Sequence, residues 1–339
     1  MTQPVTDFIA RLVRREDLNR DEAEQLLESL LDDEATDAQI AAALVALAAK
    51  GETVEELTGM ATGLRARAVR VNARHPCFID TAGTGSSRAK TFNISTAAAF
   101  VIAGAGLPVA KHGNRAASSK SGSADLLAAL GVNVSAIPSV SEDALNEIGI
   151  CFMFAPLYHG ATARVAGIRR QLGIHTTFNL LGPLSNPAGA PRQIIGVFRQ
   201  DLAEKLARVL AALGTEHAWV VYGEDGLDEI TLAGKTHVAE ARRGEVKVFE
   251  IAPEDFGLDA GRLDHLRGGD TEANAAIVRA VLEGKRKDEA RALVIMTAGA
   301  ALLLGGVAGD LRDGARRAAE AIDSGAALAK LERLVQATA

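Results

Sequence analysis

Cysteine is nearly absent: Cys77 and Cys151 are the only two in 339 residues. Two thiols cannot staple a chain of this length, so a disulfide scaffold is excluded and a reducing cytoplasm is the expected compartment. Neither cysteine stands at a metal-ligand spacing. Aromatic residues make up only 4%, with a single Trp, which excludes a core of stacked rings and leaves Ala, Leu, Val and Gly to fill it. No basic run occurs and the formal net charge is -6, so no nucleic acid partner is expected. Long apolar runs are missing apart from 292–309, uncharged over 18 residues but holding four glycines and Thr297. That stretch reads as a buried helix, and no membrane is expected. The opening MTQPVTDFIARLVRRED lacks the charged-then-apolar order of a signal peptide.

A local absence is the most informative. Between Asp80 and Asp125 lie 44 residues without one Asp or Glu, carrying Arg88, Lys90, Lys111, Arg115 and Lys120. In an acidic protein this is an anion site. Gly, Ser and Thr crowd the same stretch, so backbone N–H groups and hydroxyls can approach an anionic ligand closely. The expected ligand is a phosphate-rich small molecule.

What is present organises around that stretch. Residues 1–72 predict four helices. Val5, Phe8, Ile9, Leu12 and Val13 share one helical face, and Ala23, Leu26, Leu27, Leu30 and Leu31 share another. Thr36 can cap the third helix and Gly51 end it, while Thr53 and Glu56 form a T-x-x-E capping box for the fourth. From residue 73 the pattern changes. CFID, PVAKHG, CFMFA, QIIGVF and AWVVYG are strand candidates, interleaved with helical stretches such as STAAAFVIAGAG and QDLAEKLARVLAALG. The fold class is therefore α/β: a small N-terminal all-helical domain, then a larger α/β domain with a mainly parallel central sheet flanked by helices. In such sheets ligands sit beyond the carboxyl ends of the strands. After Gly223 the pieces DEITL, THVAEA and VKVFEI predict antiparallel hairpins, and the chain is helical again from about Thr271.

Each motif also has a plain structural reading. Gly83-Thr84-Gly85-Ser86-Ser87 is either an ordinary strand-to-helix turn or a cradle aimed at one anion. Asn93-Ile94-Ser95-Thr96 is a helix cap or a set of hydroxyls for phosphate and a hard cation, for which one Ser such as Ser95 suffices. Lys111-His112-Gly113-Asn114-Arg115 is a solvated strand end or, with Ser118 to Ser123 directly after it, the third loop of an anion site. Asp228-Glu229 is a surface hairpin or the carboxylate pair that holds a metal against diphosphate. Of Arg169 and Arg170, one can turn inward to pair a substrate carboxylate. No G-x-S-x-G element or Cys/His pair marks a covalent nucleophile.

The strings GTG at 83–85, TFNIST at 91–96, KHGNRAASS at 111–119, SGSADLLAALG at 121–131, RRQLG at 169–173, TFNLLGPLSNPAG at 177–189, DGLDEITL at 225–232 and GGDTEANA at 268–275 stand in one order along nearly the whole chain. In this the chain resembles the anthranilate phosphoribosyltransferase family. The resemblance implies transfer of phosphoribose from 5-phosphoribosyl 1-diphosphate (PRPP) to the amino group of anthranilate, in tryptophan biosynthesis. It implies a helical domain, 1–72 with a returning segment at 164–183, and a PRPP-binding α/β domain at 73–339, joined into a homodimer through the helical domains. By that similarity Gly83, Ser86, Ser87, Thr91, Asn93, Ile94, Ser95, Thr96, Lys111, His112, Gly113, Asn114, Arg115, Ala116, Ala117, Ser118, Ser119 and Ser123 contact PRPP. Ser95, Asp228 and Glu229 hold Mg²⁺, two ions with PRPP. Gly83, Asn114, His159 and Arg169 meet anthranilate, with His112 a candidate proton acceptor. A related phosphoribosyltransferase or nucleoside phosphorylase with another acceptor, or a silent nucleic-acid-binding paralogue, would share the phosphate loops. The chain departs from the family pattern at Ser86-Ser87 for Gly-Asp, Gly160 for Pro, His175 for Arg, and near Thr297-Ala298-Gly299, where an Asn is expected.

Overall fold

The computed structural model describes residues 4–32, 35–85, 91–116, 121–262, 266 and 268–339. Four helices open the chain, α1 (Val5–Val13), α2 (Arg20–Leu31), α3 (Asp37–Lys50) and α4 (Val54–Ala66). Their ends are fixed locally. Thr36 accepts from the Gln39 N–H at the start of α3, Gly51 leaves it at φ 86°, and Thr53 and Glu56 form the reciprocal cap of α4. Each such cap contributes about 1 kcal/mol. Gly59 lets α4 close on α2, because a Cβ there would run into the carbonyl of Arg20.

The second part alternates as the pattern requires: β1 (Ile79–Gly83), α5 (Ile94–Gly104), β2 (Val109–Gly113), α6 (Ser123–Ala129), α7 (Pro138–Ile148), β3 (Ile150–Phe154), then α8 (Ala155–Tyr158), α9 (Ala163–Leu172) and α10 (Thr177–Leu184). It continues through β4 (Arg192–Gly196), α11 (Asp201–Ala212), β5 (His217–Gly223), β6 (Thr236–Arg242) and β7 (Glu245–Ile251), and closes with α12 (Thr271–Leu282), α13 (Glu289–Leu304), α14 (Leu311–Asp323) and α15 (Ala326–Thr338). One sheet runs β3-β2-β1-β4-β5-β6-β7. The first five strands are parallel; β6 and β7 are antiparallel. Chain order runs outward in one direction from β1 to β3 and in the other from β4 onward, so the switch point falls between β1 and β4.

Period-two alternation along the strands sends neighbouring residues to opposite faces. Ile194 and Val221 join a core with α5 and α12–α15, while Ile195 and Val220 join one with α11 and α1–α4. Val165 and Ile168 of α9 and Phe178 and Leu181 of α10 lie in that second core with Phe8, Leu44 and Leu64. Apolar packing is thus continuous from the N-terminal helices through α11 to one face of the sheet.

The uncharged stretch near the C-terminus is α13, buried along most of its length. Among the described residues no helix is long and apolar enough to cross a membrane. One expected strand is not there. DEITL is a loop: the Gly223 N–H bonds to Leu227 O, Thr231 Oγ1 donates to Asp225, and Ile230 and Leu232 are buried as side chains rather than paired as a ladder. The Thr231 N–H donates to Thr236 Oγ1 and Leu232 O accepts from the Gly261 N–H, so backbone groups of this stretch bond outside any ladder.

Candidate active site

The site grows from the switch point. Gly83 at the end of β1 pairs with Gly196 at the end of β4. Beyond it the Thr84 N–H donates to Gly196 O at 2.9 Å, and Thr84 Oγ1 accepts from the Phe198 N–H at 3.2 Å. A Cβ on Gly196 would collide with the carbonyl of Asp228, so glycine is what seats the 225–229 loop on the strand end. Asp228 Oδ2 then lies 3.7 Å from where a Cβ on Gly83 would stand. Glu229 Oε1 accepts the Ser95 N–H at 3.1 Å, in the first turn of α5. Ser95 and the Asp228-Glu229 pair are therefore brought together although Ser95 and Glu229 are 134 residues apart in the chain.

Their charge is unbalanced. Burial, then the neighbouring charge of Asp228, pushes the Glu229 carboxyl up to about 8, against the opposing pull of Lys111. A divalent cation would relieve that repulsion, and two carboxylates with a hydroxyl are hard oxygen donors. The residues fit Mg²⁺. Among the described residues no group of three or more His, Cys, Asp or Glu could hold a metal ion, so an ion here would complete its shell with substrate oxygens and water, as Mg²⁺ commonly does.

Beside this lies β2. Lys111 is buried, and its Nζ donates to Thr81 O. Burial pulls its ammonium pKa down, while the charges of Asp80 and Glu229 oppose the shift. Asp80 is 0% exposed, yet Oδ1 accepts the His112 N–H at 3.2 Å and Oδ2 accepts Asn186 Nδ2 at 2.7 Å. Desolvation still raises its carboxyl to about 6. Two groups of opposite charge are thus buried side by side, which neither alone could do cheaply.

The remaining loops close around this floor. Asn93 Nδ2 donates to Ser121 O at 3.2 Å, and Asn274 of the GGDTEANA string reaches Asn93 Oδ1 at 3.4 Å. The same string lies against Thr91, whose carbonyl a Cβ on Gly268 would strike. Ile94 and Thr96 are buried, and their N–H groups donate to Phe92 O and Asn93 O. Asn114 is exposed, and its carbonyl accepts from Ser123 Oγ and the Ala124 N–H. Gly113 stands between Ser123 and Phe152 with no room for a side chain. The Arg115 guanidinium pairs with Asp125 at 2.9 Å, and Asp125 also accepts the N–H groups of Ala116 and Gly122. Ser86, Ser87, Ala117, Ser118 and Ser119 lie outside the described residues.

A second group gathers around His112. The rings of His112 and His159 are 5.2 Å apart, edge to face. His159 Nε2 donates to Ser185 O at 3.1 Å, and His159 Nδ1 and His112 Nε2 are buried with no hydrogen-bond partner. Burial, then His159, lowers His112 to about 3, and burial lowers His159 as well, so both rings are neutral. Arg169 of α9 is half-buried, donates from Nη2 to Asn179 Oδ1 at 3.0 Å, and packs over Phe178. Its Nε has no partner and burial lowers its pKa.

The structural partners Asp80, Asn186, Asn179 and Asp125 are not among the site residues that the motifs pointed to. A lone charge in the apolar CFID string was a usable signal for Asp80, whereas Asn186 and Asn179 sit inside the TFNLLGPLSNPAG string with no period to mark them.

Residues 75–328 match the family described as "Glycosyl transferase family, a/b domain", and residues 6–68 match its helical bundle domain. The anthranilate phosphoribosyltransferase of Anaeromyxobacter dehalogenans (strain 2CP-C) is 55% identical over 330 residues, 97% of either chain. The crystal structure of the Thermus thermophilus anthranilate phosphoribosyltransferase superposes with a TM-score of 0.91 at 39% identity, covering 98% of this chain and 99% of that one. The Saccharomyces cerevisiae enzyme in complex with PRPP and Mg gives 0.90 at 28% identity, covering 98% and 97%. The yeast complex with 4-fluoroanthranilate gives 0.88 at 26%, with the same coverage.

Proposed function

The chain belongs to the anthranilate phosphoribosyltransferase family, and on that footing we propose that its site divides the reaction between a phosphate half and an acceptor half. The protein transfers the phosphoribosyl group of PRPP to the amino group of anthranilate, giving N-(5-phosphoribosyl)anthranilate and diphosphate in tryptophan biosynthesis. Mg²⁺ is its metal.

Ser95, Asp228 and Glu229 hold the metal in this reading, as two ions once PRPP is bound. When bound, Mg²⁺ neutralises the negative charge that gathers on the departing diphosphate. Gly83, Thr91, the Asn93–Thr96 turn, Lys111 to Ala116 and Ser123 take the phosphates and ribose. As the bond from C1 to diphosphate breaks and the bond to nitrogen forms, the buried Lys111 and the loop N–H groups stabilise the leaving group.

The acceptor half rests on one observation. Arg169 carries a half-buried guanidinium whose Nε has no partner, and no ion pair to it occurs among the described residues. A planar carboxylate satisfies it, and holding the carboxylate aims the adjacent amine at C1. Gly83, Asn114 and His159 complete the pocket. An aromatic amine that has formed its new bond is itself a strong acid, so the weakly basic Nε2 of His112 suffices to accept its proton.

Anthranilate fluorescence followed with PRPP and Mg²⁺ tests the function. Decay that requires both is expected, and none at high enzyme concentration would remove the assignment. For the assembly, the reading is a homodimer through the helical domain, as the family resemblance implies. Light scattering should return twice the chain mass, and a monomer would contradict it.

A further inference from the structure

Three consecutive residues that follow the returning segment each hold a different part of the molecule. Leu184 O, at the end of α10, accepts Arg65 Nε at 2.6 Å from the last turn of α4. Ser185 O accepts His159 Nε2 at 3.1 Å. Asn186 spends its whole amide: Nδ2 donates to Asp80 Oδ2 at 2.7 Å and to Ala110 O at 2.9 Å, while Oδ1 accepts the Ala188 N–H at 2.9 Å. Leu184, Ser185 and Asn186 are all buried. One residue earlier, Pro183 O accepts Gln193 Nε2 from β4 at 3.1 Å.

We infer that Leu184–Asn186 is a three-way junction in which Arg65 and Asn186 are positioning residues for the transfer. The inference rests on the function proposed above. Through the junction, the seat of α4 sets where His159 stands on the acceptor side and where Asp80, the His112 backbone and hence the end of β2 from Lys111 to Gly113, with Asn114 after it, stand on the phosphate side. Neither Arg65 nor Asn186 is placed against a substrate; each acts through a bonded chain of two or three groups. Hydrogen bonds of a buried amide to a carboxylate and a carbonyl are directional, so losing them frees the floor of the phosphate site to shift. Arg65 has no ion pair among the described residues, so the backbone carbonyl of the junction is the group its Nε addresses.

The test is steady-state kinetics of the Mg²⁺-loaded full chain with PRPP and anthranilate, beside thermal melting. Asn186→Ala should raise the KM for PRPP, and Arg65→Met should lower kcat while leaving both KM values near the parent's. Each effect should fall between about 10- and 100-fold, the scale on which small misplacements act. Arg65→Lys, which can still donate to Leu184 O, should restore most of the kcat that Arg65→Met loses. If Asn186→Ala does not fold, the Met and Lys pair at 65 decides the matter alone. Parent kinetics in Arg65→Met, or a Lys variant no better than the Met variant, would overturn the junction. An inactive parent would instead overturn the function on which it rests.

Discussion

In the division proposed above, the two halves of the site carry their charge in opposite ways. On the phosphate side the buried cation Lys111 sits between Asp80 and Glu229, and exposed Arg115 is paired with Asp125, so positive charge is present but balanced within the protein. On the acceptor side His112 and His159 are neutral and Arg169 has an amide oxygen, not a carboxylate, as its partner. The first arrangement suits a ligand that arrives with its own metal and many charges, because the site needs to rearrange pairings rather than supply a large excess of charge. The second suits a ligand with one carboxylate, which completes the cation that the protein leaves uncompensated.

The largest effect should come from the phosphate half. A Ser95→Ala, Asp228→Asn double variant should lose about 100- to 1000-fold in kcat/KM for PRPP, most of it at low Mg²⁺, as expected when charge stabilisation of a leaving group is removed. Its KM for anthranilate should hardly move. Steady-state kinetics over a Mg²⁺ series checks this, and equal losses for both substrates would mean that the halves are not separate.

A smaller effect concerns the neutral imidazoles. His112 has its pKa depressed to about 3 in the fold, against an ordinary value of 6.5. Between those values the unfolded chain binds the extra proton, so the His112 contribution is present above the unfolded pKa and lost as pH falls through this window. By linkage the parent loses about 2 kcal/mol from this group between pH 7 and 5. Raised carboxyls such as Asp80 act in the opposite sense, so the useful quantity is a difference. His112→Gln should gain about 2 kcal/mol on the parent over that interval in urea melts, and a pH-independent difference would show that His112 is not held neutral.

The same contrast explains what could be read from the chain alone. The phosphate half is contiguous, and loops that end successive parallel strands reach one edge by topology, so 83–85, 93–96 and 111–115 announced themselves through composition. The capped helices α3 and α4 were legible because Thr36, Gly51, Thr53 and Glu56 act over three or four residues. Ser95 and Glu229 meet across 134 residues, a pairing that no local period encodes and that family resemblance supplied. DEITL reads as an extended piece between turn residues, but its Thr231 N–H goes to Thr236 Oγ1 and its Leu232 O to the Gly261 N–H rather than to a ladder. Asp80, Asn179 and Asn186 matter through partners that only the tertiary fold brings within reach.

The division itself is tested most directly at Arg169. Initial rates of an Arg169→Ala variant, measured by anthranilate fluorescence across a grid of both substrates with saturating Mg²⁺, separate the two KM values. The KM for anthranilate should rise about 10- to 100-fold, the worth of lost hydrogen bonds to a charged group, while the KM for PRPP stays at the parent value. An unchanged KM for anthranilate, or a matching rise in the KM for PRPP, would contradict an acceptor half built on that guanidinium.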